Sequence, residues 1–309
     1  PDNEWFYPRH DHSCGPNCGP SCGCGRYVEI GNDVYMQYEK TENGYIPLKN
    51  KNVDTGFGFE RLLMFLNGFT DVYKTDLFIE AISAMEKSCN LVYDKEENST
   101  KSMRIIADHI RTAVMLIGDE KGILPSNVGA GYILRRLLRR AIRHAKKINL
   151  NTIGLLNVAK IYIEEVYPEA YPILKQKEDY ILSSIEAEIE KFNKTLTSGE
   201  KEFDKVVMGM DRKIEFMKKN NPNFIESDSD KIISGKAAFR LYDTYGYPIE
   251  MTIEMASERG LKVDIEGYNA AFKEHQDLAR SSSAVAKSGL ATSGEMETKY
   301  HTATHLLNA

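Results

Sequence analysis

Between Ile173 and Leu196 the chain reads ILKQKEDYILSSIEAEIEKFNKTL, and Ile181, Ile185, Ile189, Phe192 and Leu196 fall three or four residues apart. That spacing puts all five on one face of an α-helix and demands a second apolar surface to cover it. The same period governs MRIIADHIRTAVMLIGD, and from about Asp76 onward the pattern is helical almost without interruption. Most of the chain must therefore fold as amphipathic helices packed on one another. With 309 residues and 42% hydrophobic content it can bury a sizeable core and is long enough for two or more units.

The N-terminal part differs. Residues 1 to about 26 are rich in Gly, Pro, Cys and Asn and read as a loop, after which RYVEIGNDVYMQYEK alternates branched or aromatic residues with polar ones, as a strand does. TENGY supplies an Asn-Gly turn, and NVDTGFGFERLLMFLNGF runs from a short strand through two glycines into an apolar helix. Further on, NNPNFIESDSDK is a polar loop, Ser234 is placed to cap one helix and Gly260 to end another. Ile265, Tyr268, Phe272, His275 and Ala279 mark a last helix, and SSSAVAKSGLATSGE has the composition of a linker.

Charge is unevenly spread. The formal net charge is -5, yet LPSNVGAGYILRRLLRRAIRHAKK (residues 124–147) carries seven Lys or Arg and no acid. Ile133, Leu134, Leu137, Leu138, Ala141 and Ile142 recur at helical spacing and leave Arg135, Arg136, Arg139, Arg140 and Arg143 around the other face. Arginines with no local acid to pair with suit phosphate contacts to a nucleic acid; a solvated surface helix is the equal alternative. No apolar run is long enough to span a bilayer and no signal peptide is evident, so the expected compartment is the cytoplasm.

Three further groups carry chemistry. In VDTGFGFERLL, Gly56 and Gly58 remove the Cβ atoms that would collide with a ligand, and Arg61 offers a fork of donors to a phosphate; the plain alternative is a glycine turn into a core helix. Cys14, Cys18, Cys22 and Cys24, with His10 and His12 nearby, offer enough ligands for a tetrahedral Zn²⁺, against a reduced, metal-free glycine loop. His301 and His305 stand four apart on an apolar helix, a spacing that lets two imidazoles share one zinc.

VDTGFGFER resembles motif 3 of the class II aminoacyl-tRNA synthetases in the form used by their alanine-specific family. VEIGNDVYMQYEK is similar to the strand before that motif, RIIADHIRTAVMLIGDEKGILPSNVGAGYILRRLLRRAIRHA to the start of the tRNA-recognition region, and AAFRLYDTYGYPIEMT and YHTATHLL to two later signatures in the same order. The resemblance implies an α+β fold: residues 1–75 as the C-terminal part of an antiparallel-sheet catalytic domain, 76–282 as a helical tRNA-recognition domain, and 283–309 as a linker and the first helix of an editing domain.

It further implies that Asp54 binds the alanine ammonium and acts with Arg61 at the catalytic centre. Asn32 helps form the amino-acid pocket, and Gly56, Gly58 and Arg61 contact ATP, used with Mg²⁺. Asn127 and Asp243 meet the acceptor stem of tRNA(Ala), where a G·U pair leaves a guanine amino group open in the minor groove, and the arginine row contacts its phosphates. Taken alone, Asn32 and Asp54 read equally as caps and Asp243 as a turn residue in YDTYG. His301 and His305 become the first ligands of an editing zinc.

Two departures from the family stand out: Gly31 occupies a position where the family usually has Trp, and class motifs 1 and 2 are not found. The expectation is therefore an interior fragment of an alanine–tRNA ligase that does not activate alanine alone. A non-catalytic RNA-binding module, zinc-stabilised or not, is the rival reading, and a free-standing editing hydrolase a third.

Overall fold

The computed structural model describes residues 2–221 and 224–287. The fold is α+β, mostly helical with a small sheet, and divides into two compact units, residues 1–189 and 190–309, the division falling inside one long helix.

The first unit opens with a three-stranded antiparallel sheet in the order β1 (Asp2–Pro8), β2 (Tyr27–Thr41), β3 (Gly44–Phe57). β1 corrects the expectation of a loop from residue 1 to 26. DNEWFYP has no clean alternation because both faces of this edge strand stay largely open, and it becomes a strand only by pairing Trp5 with Gly31 and Glu4 with Asn32. β3 is likewise longer than a short strand. The reversal between β2 and β3 is made by Glu42 and Asn43, with Gly44 at φ 111° closing it opposite Thr41.

Helices follow: α1 (Phe59–Leu66), α2 (Ile79–Cys89), α3 (Glu97–Gly118), α4 (Gly129–Lys147), α5 (Thr152–Ile161), α6 (Pro172–Gln176) and α7 (Glu178–Asn220). The core of the first unit gathers Ile106, Ile110 and Ile117 of α3, Leu134 and Leu138 of α4, and Ile181 and Ile185 of α7, all fully buried. Gly118 lets this packing close, since a Cβ there would stand 2.3 Å from Leu174 and 3.0 Å from Ile181.

α7 also brings Glu188 to the arginine side of α4. Glu188 Oε1 accepts from Arg139 Nε at 2.6 Å and lies 3.7 Å from Arg135 Nε, with the Glu188 and Arg139 side chains 5% and 8% exposed. A second polar knot sits where Asp71 accepts from the Tyr93 hydroxyl at 2.7 Å, the Tyr73 backbone N–H at 3.0 Å and Arg104 Nη2 at 2.6 Å. Burial alone would raise the Asp71 pKa, but these donors outweigh it and hold the carboxyl below its ordinary 3.8.

In the second unit Phe192, Leu196 and Phe203 of α7 are buried, and Tyr247 donates its hydroxyl to Leu196 O at 2.6 Å, its ring filling the space a Cβ on Gly199 would need. Ser234 caps α8 (Gly235–Tyr245) by accepting from Ala237 N, and Gly260, at φ 69°, follows α9 (Ile249–Glu258), as both were expected to do. β4 (Ile232–Ile233) and β5 (Lys262–Val263) form a short parallel pair. α10 (Ile265–Lys287) continues through Ser281–Lys287, so that part of the expected linker is helical; its small residues are compatible with a helix once one is under way.

Replacing Glu188 with Ala removes a carboxylate that is itself buried against Arg139, and should lower stability in a urea titration by up to about 3 kcal/mol. Asp71 contributes stability above pH 3.8 that is lost as pH falls through its lower folded pKa. Asp71→Asn should therefore flatten the fall in stability below pH 3.8 while lowering stability at pH 7.

Candidate amino-acid and nucleotide site and the basic helix

Register places Asn32 opposite Gly56 and Val34 opposite Asp54. Directly opposed residues of an antiparallel pair share a sheet face, so Asn32, Asp54 and Gly56 lie on one side. A Cβ on residue 56 would come within 3.3 Å of Asn32 Oδ1, so glycine there gives the amide room over the neighbouring strand. Gly58 is the N-cap of α1 in extended conformation, and Arg61, exposed one turn later, reaches back to donate from Nη1 to Glu29 O at 2.9 Å. One face thus offers an amide and a carboxylate, and the start of α1 offers a tethered guanidinium.

The opposite face is braced separately. Asp33 accepts from Trp5 Nε1 at 3.1 Å and from Thr55 Oγ1 at 2.8 Å, while the Phe57 ring lies over Gly31, 2.4 Å from where a Cβ would stand. Phe57 therefore occupies the room that any side chain at position 31 would take. Sequence reasoning noticed the missing side chain at Gly31 but had no signal that Phe57 was its partner, because the two meet only through strand register.

Glu60 does not face the candidate site. It accepts from Arg111 Nη2, whose Nε donates to the Tyr167 hydroxyl at 2.6 Å and whose guanidinium lies 5.0 Å from the Phe78 ring. Burial would raise the Glu60 pKa, but the hydrogen bond and charge of Arg111 outweigh it and hold the carboxyl below its ordinary value. The glycine segment is thereby anchored to α3 through the first turn of α1.

On the basic helix the structure corrects the sequence reading. The arginines lack acids only locally, because Glu188 arrives from α7 to pair with Arg139, and Arg139 and Arg143 are buried. Arg140 Nη1 is 3.2 Å from His109 Nε2, Arg136 is half-buried, and Ile133, assigned to the apolar stripe, is exposed. Asn127 is exposed on the loop before α4, and its Oδ1 accepts from Arg135 Nη1. That loop is pinned by Ser126 N donating to Gly131 O at 3.0 Å, and a Cβ on Gly131 would stand 2.3 Å from Ser126 Oγ.

In the second unit Asp243 lies exposed in the last turn of α8, so YDTYG is helical up to the αL residue Gly246. Its Oδ1 is 3.5 Å from His275 Nε2 on α10, a neighbour that sequence reasoning had placed only as a helix-face residue. The four cysteines of the β1–β2 connection converge, with all four sulfurs within 4.8 Å of one another. His301 and His305 lie outside the described residues. Among the described residues no helix is long and apolar enough to cross a membrane.

Residues 1–308 match the profile of the tRNA synthetases class II (A), and the chain belongs to that family. Among its relatives are the alanine–tRNA ligases of Treponema denticola, 47% identical, and Borrelia hermsii, 42% identical, each covering 100% of this chain. That of Acaryochloris marina is 42% identical over 83% of it. The chain spans 49% of the length of the first two and 27% of the third.

The Gly31–Phe57 fit gives a direct test. Gly31→Ala should lower the melting temperature, and adding Phe57→Ala should restore part of the loss, a coupling that a double-mutant cycle in thermal denaturation will show.

Proposed function

We propose that this chain forms part of an alanine–tRNA ligase. Residues 1–75 would carry the strand and glycine portion of the alanine and ATP site, residues 76–282 the helical region for the acceptor stem of tRNA(Ala), and residues 283–309 the entry to an editing domain. The observation that carries this is the shared face of Asn32, Asp54 and Gly56 beside Arg61, in a chain whose full length aligns with alanine–tRNA ligases. A place in the cytoplasm goes with that reading.

In this reading the Asp54 carboxylate pairs with the alanine ammonium and the Asn32 amide orients the amino acid over Gly56. The alanine carboxylate attacks the α-phosphorus of ATP, pyrophosphate departs, and alanyl-adenylate forms, to be taken by the terminal hydroxyl of the tRNA. Arg61, held by its bond to Glu29 O, offers its remaining donors to the nucleotide. Mg²⁺ carried on the triphosphate supplies charge neutralisation. Asn127 and Asp243 accept from the unpaired guanine amino group of a G·U pair. Phosphate contacts fall to Arg135, Arg136 and Arg140, with Arg139 and Arg143 supporting the helix from inside. Hydrolysis of mischarged tRNA would draw on His301 and His305.

Activation is tested in a chimera in which this segment replaces its counterpart in the T. denticola ligase. Alanine-dependent ATP–pyrophosphate exchange should persist, and Asp54→Asn should reduce it about 100-fold. Undiminished exchange removes Asp54 from the site, and a folded chimera that binds RNA but activates no amino acid favours the binding-module reading. For the RNA half, filter binding of the chain to acceptor-stem hairpins should favour G·U over G·C by about 10-fold, a preference that Asn127→Ala or Asp243→Ala abolishes.

A further inference from the structure

The connection between β1 and β2 has no hydrophobic means of holding its shape. From Arg9 to Arg26 no residue is buried, and the segment is built of glycine, proline and short polar residues around four cysteines. Yet it folds with local order. Cys18 N donates to Gly15 O at 3.1 Å and Cys22 N to Gly19 O at 2.9 Å, so C-G-P-N-C and C-G-P-S-C form two successive turns with Pro16 and Pro20 at the second positions. The four-residue repeat returns successive thiols to the same side.

Cys14 Sγ lies 3.3 Å from Cys22 Sγ, Cys18 Sγ lies 3.8 Å from Cys24 Sγ, and no pair among the four exceeds 4.8 Å. Four thiolates bound to zinc at about 2.3 Å stand about 3.8 Å apart on the edges of a tetrahedron. We propose that Cys14, Cys18, Cys22 and Cys24 form a structural Zn²⁺ site that ties the β1–β2 connection closed. Four thiolates on a divalent ion leave a net charge of -2. Arg26 sits where it offsets that charge: its Nη1 is 3.9 Å from Cys18 Sγ, and its Nε donates to His10 O at 3.1 Å. Arg9 N donates to Arg26 O at 2.7 Å, so the site closes directly above the point where the two strands begin to pair. The complete sulfur set makes His10 and His12 unnecessary as ligands, and an all-thiolate tetrahedron favours zinc over magnesium or calcium. The site stands on this loop alone, independent of any ligase activity.

Purified under reducing conditions, the chain should hold one zinc by metal analysis. After removal of that zinc by a chelator at low pH, added Co²⁺ should produce thiolate-to-cobalt charge-transfer and tetrahedral d–d bands that saturate at one equivalent and vanish on adding Zn²⁺. Cys22→Ser should weaken zinc binding by at least about 100-fold, while Cys89→Ser and a His10→Ala, His12→Ala double variant should leave it unchanged. The cobalt spectrum of the unaltered chain decides the question even if Cys22→Ser fails to fold. Five titratable thiols with no metal bound, two disulfides in the cluster, iron in place of zinc, or a cobalt spectrum that survives Cys22→Ser would each overturn the proposal.

Discussion

The carboxylate of Glu188 is the fixed point of the first unit. A buried arginine must be paired, and Arg139, on the inward side of α4, has that requirement met by an acid 49 residues away in sequence. The pairing forces α7 to run where its Ile181 and Ile185 cover the same core as Leu134 and Leu138. It also sets the rotation of α4. With Arg139 and Arg143 turned inward, the helix presents Arg136 and Arg140 less deeply buried and carries Asn127 exposed on the loop ahead of it. Two of the five arginines in that row, Arg139 and Arg143, thus lie inside the packing of the unit.

A second arginine does comparable work at the sheet. Arg111 of α3 joins Glu60 of α1, the Tyr167 hydroxyl and the face of Phe78, so the helix that begins at the paired glycines is held to the helical layer by hydrogen bonds and an aromatic contact. Arg61, the next residue, is left to face the other way. A single residue step along the helix thus separates an acid used for architecture from a base left at the candidate site, and the two belong to a single sequence motif.

Periodicity made the helices legible, because an amphipathic stripe such as Ile181, Ile185, Ile189, Phe192 and Leu196 has one economical fate. Caps were legible where a single residue type does the job, as at Ser234 and Gly260. β1 was not legible, since an edge strand with two open faces leaves no alternating pattern and exists only through its partner. The candidate site divides the same way: Gly56, Gly58 and Arg61 are local and could be named, whereas the Phe57 ring over Gly31 and the approach of His275 to Asp243 join residues whose proximity no spacing encodes.

The sequence by itself determined the residue chemistry: which segments must be helices, which glycines admit close approach, where thiols recur every four residues, and which family the chain resembles. Tertiary structure decided which of those groups are spoken for. It set Glu188 against Arg139, Phe57 into the space above Gly31, and four sulfurs within 4.8 Å of one another. The reason is that periodicity and propensity act over a few residues, while pairing of buried charge and convergence of ligands depend on distances between segments far apart in the chain.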